Sequence, residues 1–147
     1  MSPREIAGCI EWVAHGFEIV QSIFPGWRFA APDATAAYGL HGALLVGPRH
    51  ALEDTEDWVA RLQDFSLSLL RDGTKMDEGR ALNILDGPLQ ALGHLVAVIA
   101  TDGGPPLMPG EIVSTGTITD AFPILAGESW STELKSIGLE GARVRLG

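Results

Sequence analysis

The stretch FSLSLLRDGTKM, residues 65–76, decides the fold of this 147-residue chain. Phe65, Leu67 and Leu69 alternate with serines, and this period of two is typical of a strand that buries one face. Asp72 and Gly73 then form a dipeptide that favours a tight turn between antiparallel strands. The stretch therefore predicts a β-hairpin whose first strand has one face in the core.

The segment after the hairpin predicts a helix. It begins at Asp86, and its apolar residues recur at helical spacing until the glycines and prolines of residues 103–106 stop it. Beyond this helix the pattern is typical of β-structure. Strands are predicted at residues 111–114, 130–134 and 142–146.

The first residues predict a helix and then a change of structure. Ser2, Pro3 and Glu5 form a capping box with proline at the first helical position, so a helix is expected to start there. Residues 17–21 fit either a continued helix or a strand, and we expect the type to change near Gly16.

Two short elements are predicted next. Asp33 is placed to cap a helix of one or two turns that ends near Tyr38. Residues 41–47 are apolar and end at Pro48, which predicts a buried strand. Two or three helices among many short strands, with no repeating βα unit, predict an α+β or roll-like β architecture. No linker or repeat divides the chain, so residues 1–147 are predicted to form a single domain.

The composition excludes several classes of protein. Nineteen acidic residues against ten basic ones give a net charge of −9, and no stripe of bases can follow a phosphate backbone, so no nucleic-acid partner is expected. The single cysteine, Cys9, excludes an internal disulfide and suits a reducing compartment. Residues 1–10 lack a signal-peptide pattern, and no apolar run approaches the roughly 20 residues that span a bilayer. We therefore expect a cytoplasmic protein with no membrane partner.

Few residues point to catalysis by pattern alone. No serine lies in a Gly-x-Ser-x-Gly motif, which disfavours covalent catalysis. The four histidines share no metal-ligand spacing. His41 lies in a mainly apolar predicted strand and is interpreted either as a hydrogen-bonded core histidine or as a catalytic acid or base.

Two polar segments have alternative interpretations. The acidic residues within 53–57 predict a solvated turn rather than a cation site. Thr115, Gly116 and Thr117 follow an apolar predicted strand, and they either present hydroxyls and amides to a small carboxylate or keto group or form an ordinary strand exit.

Residues 107–128 resemble the C-terminal signature of the fumarylacetoacetate hydrolase superfamily, particularly its 2-keto-4-pentenoate hydratase branch. Residues 17–22, 33–42 and 86–92 are similar to three further segments of these enzymes. The four segments occur in the family's order over nearly the whole chain, which makes the resemblance far more specific than any one of them.

The resemblance implies a metal cofactor and an incomplete ligand set. Enzymes of this superfamily hold Mg²⁺ or Mn²⁺ through a Glu-x-Glu pair and a later aspartate. Gln21 stands at the position of that aspartate, and a neutral amide is a weaker ligand for a hard dication than a carboxylate. The Glu-x-Glu pair would lie before residue 1. The resemblance thus implies a mixed β-sandwich or roll with two or three helices, corresponding to the C-terminal portion of the enzymes and incomplete at its N-terminus.

The function implied by the resemblance is that of a lyase. Hydratases of this branch add water, with metal assistance, to an unsaturated 2-keto acid in aromatic-compound catabolism, and the superfamily is commonly dimeric. The implied roles are catalysis by His41 and Glu18, substrate binding by Arg28, Thr115, Gly116 and Thr117, and metal contact by Gln21. The alternative is a non-catalytic domain of the same type that binds a small acid or associates with itself.

Overall fold

The computed structural model describes residues 1–147, and its centre is a four-stranded antiparallel sheet. The predicted hairpin forms its first two strands, β5 (Ser66–Arg71) and β6 (Thr74–Arg80). Strand β7 (Ser129–Lys135) pairs with the other edge of β5, and β8 (Arg143–Arg145) pairs with β7. The strand order β6-β5-β7-β8 therefore makes β5 an inner strand, bonded on both sides.

One face of this sheet carries an apolar cluster. Leu67 and Leu69 on β5 are buried together with Trp130 on β7, as their alternation with polar residues predicts. Leu69 lies opposite Thr132 in the ladder, and Thr132 is also buried. The strict period of two thus places one polar hydroxyl inside an otherwise apolar face.

Three helices pack together over a second cluster. They are α1 (Pro3–Ala7), α3 (Thr55–Gln63) and α4 (Pro88–Asp102). Their buried residues include Ile6, Trp58 and Leu89. Helix α4 is the predicted helix, and its C-cap Gly103 has φ 68°, a left-handed conformation that glycine adopts without steric cost.

The capping prediction holds at α1 and differs at the next helix. Ser2 and Glu5 form the predicted capping box, but α1 ends at Ala7. Helix α2 (Ala31–Ala36) begins before Asp33, whose carboxylate reaches back to accept from the Ala30 N–H at 2.8 Å instead of capping from in front. The α+β class is confirmed, with four α-helices where the sequence predicts two or three.

The acidic residues within 53–57 do not form a simple turn, and the prediction missed α3. Asp54 is the N-cap of that helix, and its carboxylate accepts from the backbone N–H groups of Glu56 and Asp57 at 3.1 Å. Carboxylates at a helix N-terminus are stabilised by the helix dipole, which explains why acids gather there.

Two small antiparallel pairs complete the β-structure: β1 (Trp12–Val13) with β4 (His50–Ala51), and β2 (Gly16–Val20) with β3 (His41–Val46). The change from helix expected near Gly16 comes earlier, because α1 ends at Ala7 and β1 precedes Gly16; of the two alternatives for residues 17–21, the strand is the one that forms. The strand predicted at residues 41–47 is present as β3, but its predicted burial is wrong, because β3 is mostly exposed. Only one face of the β2–β3 pair is covered, by the four-stranded sheet, against which Phe17 packs.

The predicted strand at residues 111–114 is absent, because residues 103–128 form no regular ladder. This loop instead covers the β6 edge at Gly79. A Cβ at that glycine would lie 2.1 Å from the Ile118 carbonyl oxygen, so no other residue fits there. The Asp77 carboxylate fixes the same loop by accepting from the Asp120 N–H at 2.9 Å.

One segment, Ala81–Asp102, is long and apolar enough to cross a membrane by length and composition alone, with a mean hydropathy of 1.4. The expectation that no apolar run approaches that length is therefore wrong. The segment is not one continuous α-helix, because Gly87 has φ 130° and α4 itself has 15 residues.

We predict that Leu89→Ala lowers the free energy of unfolding by about 2–5 kcal/mol, because a fully buried leucine leaves a cavity between the helices. The matched control is Leu82→Ala, since Leu82 is 61% exposed, and it should change stability by less than about 0.5 kcal/mol. Urea denaturation of both variants measures the difference. Equal effects would contradict the helical cluster.

Candidate functional site

Strands β2 and β3 bring together the two residues predicted to be catalytic. The His41 Nδ1 lies 2.9 Å from the Glu18 Oε1, and both side chains are partly exposed, on the face of the pair that points away from the four-stranded sheet. A bulge between Ile19 and Val20 adjusts the register so that His41 lies opposite Val20. His41 is therefore not a core histidine, which removes that interpretation. A carboxylate beside an imidazole orients the ring.

Gln21 lies next to this pair. Its backbone N–H donates to the Leu40 carbonyl at 2.9 Å, and its side chain packs beside Gly42. A Cβ at Gly42 would lie 2.8 Å from the Ile19 carbonyl and 3.4 Å from the Gln21 Cγ. The glycine thus allows the chain to bring Gln21 close to His41.

A large cavity begins at the same strand. Its volume is about 950 Å³, and its lining includes Glu18 together with Thr115, Gly116 and Thr117. The Thr117 hydroxyl donates to the Thr119 carbonyl at 2.8 Å, which holds the loop in a tight local turn. The structure therefore gives Glu18 and the three predicted substrate-binding residues one common space. His41 and Gln21 are not among the lining residues, and His41 adjoins the cavity through its contact with Glu18.

Arg28 is not part of this space. It follows the 3₁₀ turn Pro25–Trp27, is exposed, and does not line the cavity. No ion pair holds its guanidinium in this structure.

The sequence analysis missed His15, which lines the cavity from the other face of β2. Its Nε2 lies 2.8 Å from the Thr132 Oγ1, and burial lowers the pKa of the imidazole. His15, Phe17 and Ile19 alternate along the chain, and this period was the signal that the histidine shares an inward face.

A divalent metal site is not complete in these residues. No group of three or more histidine, cysteine, aspartate or glutamate side chains is placed to hold a metal ion. The cluster at β2–β3 offers one carboxylate, one imidazole and one amide, from Glu18, His41 and Gln21. Mg²⁺ prefers hard oxygen ligands with negative charge, so this set does not fit the metal by itself.

The chain is similar to enzymes that act on small organic acids. It is 27% identical over 138 residues to a 4-oxalocrotonate decarboxylase of Pseudomonas sp., covering 94% of this chain and 51% of the enzyme. It is 24% identical over 135 residues to a 2-hydroxyhexa-2,4-dienoate hydratase of Comamonas testosteroni, covering 92% and 49%. The chain thus spans about half the length of the curated relatives it matches.

The fold agrees with these relatives. The 4-oxalocrotonate decarboxylase from Pseudomonas putida G7, in a structure complexed with magnesium and adipate, superposes with a TM-score of 0.87 at 20% identity. The match covers 99% of this chain and 52% of that enzyme. No family model matches the sequence. The predicted resemblance to the C-terminal portion of hydratases and decarboxylases of the fumarylacetoacetate hydrolase superfamily is confirmed by the decarboxylase and the hydratase.

We predict that the protein loses stability as the pH falls below about 6.5, in part through His15. Because the pKa of His15 is lower in the folded protein than in the unfolded chain, the unfolded chain takes up the proton first, and its uptake opposes folding. The stabilisation by neutral His15 is fully present at pH values above the pKa that His15 has in the unfolded chain. It is lost as the pH falls through the lower pKa that His15 has in the folded protein. His15→Gln should show a smaller loss between pH 7.5 and pH 5 in urea denaturation.

The control for this prediction is His94→Gln, which removes an exposed histidine on α4. If His94→Gln reduced the change in unfolding free energy between pH 7.5 and pH 5 as much as His15→Gln does, the assignment to His15 would be contradicted.

Proposed function

We propose that this chain provides the acid-binding and proton-transferring part of a hydratase-type lyase that acts on an unsaturated 2-keto acid. The observation that carries the proposal is the Glu18–His41 pair beside a cavity lined by Thr115, Gly116 and Thr117. The similarity to a hydratase and to decarboxylases of small organic acids supports it. Aromatic-compound catabolism in the cytoplasm is the setting that fits such an activity, and residues 1–147 act as one domain in it.

Each predicted residue has a proposed role. His41 takes a proton from, or returns it to, a carbon next to the carbonyl, and Glu18 orients the imidazole and balances its charge. Thr115, Gly116 and Thr117 donate hydrogen bonds to the carboxylate or keto oxygen. Arg28 reaches the carboxylate only if the loop that carries it moves, since it lies outside the cavity lining. Gln21 contacts the metal if one is bound.

None of these proposed steps uses a metal ion. The Pseudomonas putida decarboxylase was crystallised with magnesium and with calcium, so a divalent ion belongs to the chemistry of a relative. In this chain Glu18, Gln21 and His41 are too few and too weakly charged to bind Mg²⁺ or Mn²⁺ tightly. We therefore assign to the chain only the steps that its own side chains can perform.

The alternative is a non-catalytic domain that binds a small acid or associates with itself. The incomplete set of metal ligands favours it, because water addition across the conjugated double bond of an unsaturated 2-keto acid draws on a metal in the enzymes that the chain resembles. In that case the cavity still binds an acid, and His41 moves no proton.

Self-association is part of the proposal in both cases. The accessible surface is 9587 Å², whereas a compact monomer of 15.6 kDa exposes roughly 7200 Å². Exposed apolar residues of β2 and β3 contribute to this excess and also border the cavity: Val20, Leu44 and Val46. A homodimer that covers such a face would remove apolar surface from water.

We predict that the chain accelerates exchange of the C3 protons of 2-oxohexanoate with deuterium, followed by proton NMR in D₂O. This partial reaction needs a base near the carbonyl and no added metal. His41→Gln should lower the rate about a hundredfold, because general-base catalysis contributes about that much. His94→Gln should keep the full rate. Exchange at the buffer rate with the intact chain would support the non-catalytic alternative.

We also predict that the protein sediments as a dimer at micromolar concentration in analytical ultracentrifugation. Leu44→Glu should shift it to the monomer, because it places a charge on the exposed face of β3. Leu82→Glu, at an exposed position outside that strand pair, is the matched control and should leave the dimer intact. A monomer in the wild type would rule out self-association through β3.

A further inference from the structure

The two edges of the four-stranded sheet are protected in different ways. Strand β6 is covered at Gly79 by the loop that carries Ile118. Strand β8 is the other edge, and its exposed residues Arg143 and Arg145 place two positive charges along it. Cover and charge both prevent the free N–H and C=O groups of an edge strand from pairing with another chain.

Strand β3 is an edge with neither protection. It pairs only with β2, and five of its six residues are exposed. Residues 42–47 contain no charged side chain and no proline, and four of the six are aliphatic. Leu44 and Val46 are 37% and 40% exposed. The strand is therefore an open apolar edge to which a further strand can be added.

The ladder with β2 shows which backbone groups of β3 are free. The Gly47 N–H donates to the His15 carbonyl at 2.8 Å, which marks one bonded pair of this antiparallel ladder. Bonded and non-bonded pairs alternate along such a ladder. Counting back from Gly47, Val46 and Leu44 fall in non-bonded pairs. Their N–H and C=O groups therefore point away from β2, toward the open edge.

A second copy of the chain fits this edge. When two β3 strands pair antiparallel about a two-fold axis at Leu44, that residue lies opposite the partner's Leu44, and Val46 lies opposite the partner's Gly42. The outward N–H and C=O groups of the two leucines then bond to each other. No like charges meet, because residues 42–47 carry none.

The exposed area is also sufficient for a dimer. The accessible surface of 9587 Å² is roughly 2400 Å² larger than that of a compact monomer of this mass. A standard interface removes about 800 Å² from each partner. Pairing of β3 and contact between the neighbouring apolar side chains can therefore come from surface that a compact monomer would not expose.

We propose that a second copy of this chain adds to β3 by antiparallel edge pairing, which joins the two β2–β3 pairs into one sheet with the strand order β2-β3-β3-β2, centred on Leu44. The inference rests on the self-association in the proposed function and specifies its strand, its backbone groups and its register. Glu18 lies opposite Leu44 across the ladder, so the Glu18 side chains of both copies lie on one face of the joined sheet.

Hydrogen–deuterium exchange of single amides tests the proposal on the intact chain. It is measured where the protein sediments as a dimer and again after dilution to the monomer. The amides of Leu44 and Val46 should exchange at least about tenfold more slowly in the dimer, because bonds to the second copy protect them. Arg143 is the control, since its amide points to the free edge of β8 and should exchange equally fast in both states.

Three results of the exchange experiment overturn the proposal. One is a protein that is monomeric at every concentration. Another is a dimer in which Leu44 and Val46 exchange as fast as in the monomer, in which case self-association stands and edge pairing is wrong. The third is slow exchange of both amides in the monomer, because the edge is then already covered within one chain.

Two substitutions of similar size separate backbone pairing from side-chain packing. Leu44→Pro removes the outward N–H without removing a bond to β2, and it should shift the protein to the monomer in sedimentation. Leu44→Val keeps the N–H and should keep the dimer. A dimer with Leu44→Pro contradicts the proposal. If circular dichroism shows that Leu44→Pro does not fold, the exchange of the wild-type amides decides.

Cysteine crosslinking tests the register in a Cys9→Ser background, since Cys9 is exposed. Leu44→Cys places two thiols directly opposite each other, with Cα atoms about 5.5 Å apart, which a disulfide can bridge. Ala43→Cys places them on a diagonal, about 7–8 Å apart, which is too far. Mild oxidation should crosslink Leu44→Cys alone. Crosslinking of Ala43→Cys instead would overturn the two-fold register.

The deuterium exchange of 2-oxohexanoate separates this inference from the proposed catalysis. If the edge amides are protected in the dimer and the chain exchanges no C3 protons, the interface stands while the 2-keto acid function fails. If a protein that stays monomeric shows exchange that depends on His41, the function stands and the inference is overturned.

Discussion

The hydrogen bond between His15 and Thr132 joins the β2–β3 pair to the four-stranded sheet, and the position of the candidate site depends on it. The two residues are 117 positions apart, and their side-chain atoms are 2.8 Å apart. Thr132 is itself fixed, because its hydroxyl oxygen accepts from the Ala142 N–H at 2.9 Å. A buried hydroxyl needs such partners, and here they tie three segments of the chain together.

This contact determines what each face of β2 does. Successive side chains of a strand point to opposite sides, so the inward position of His15 and Phe17 turns Glu18 outward. Glu18 then meets His41 on β3, while the inner face closes the apolar cavity. One strand of five residues thus carries Glu18 of the candidate pair and also lines the apolar cavity.

The chain buries little for its size. Fifteen of 147 residues are buried, in one cluster among the helices and a smaller one on the sheet. Two-stranded sheets such as β1–β4 and β2–β3 are only marginally stable in isolation, so their stability depends on the elements that pack against them. Relatives that are about twice as long share this half of the fold. The proposed self-association would cover part of the apolar surface that this chain exposes.

Local sequence patterns predicted the elements that are stabilised mainly by interactions between residues close together in the chain. The alternation at Phe65, Leu67 and Leu69, the turn at Asp72 and the capping box at Ser2 were predicted from the sequence and are present. The order of four motifs along the chain was also enough to predict the similarity to the decarboxylase and the hydratase. Helix α3 was not predicted, because the cluster of acidic residues around Asp54 was interpreted as a solvated turn and not as the N-cap and first turn of a helix.

Tertiary structure alone decided the rest, because these features depend on contacts between distant residues. The exposure of β3 follows from which face of β2 packs on the sheet, and no pattern within residues 41–47 records that choice. The pairing of His41 with Glu18 depends on the register of β2 against β3 and on the bulge between Ile19 and Val20. The path of the loop after residue 24 places Arg28 outside the cavity lining. The lining of the cavity joins residues from distant parts of the chain, such as Glu18 and Thr117, so the cavity could not be predicted from local patterns.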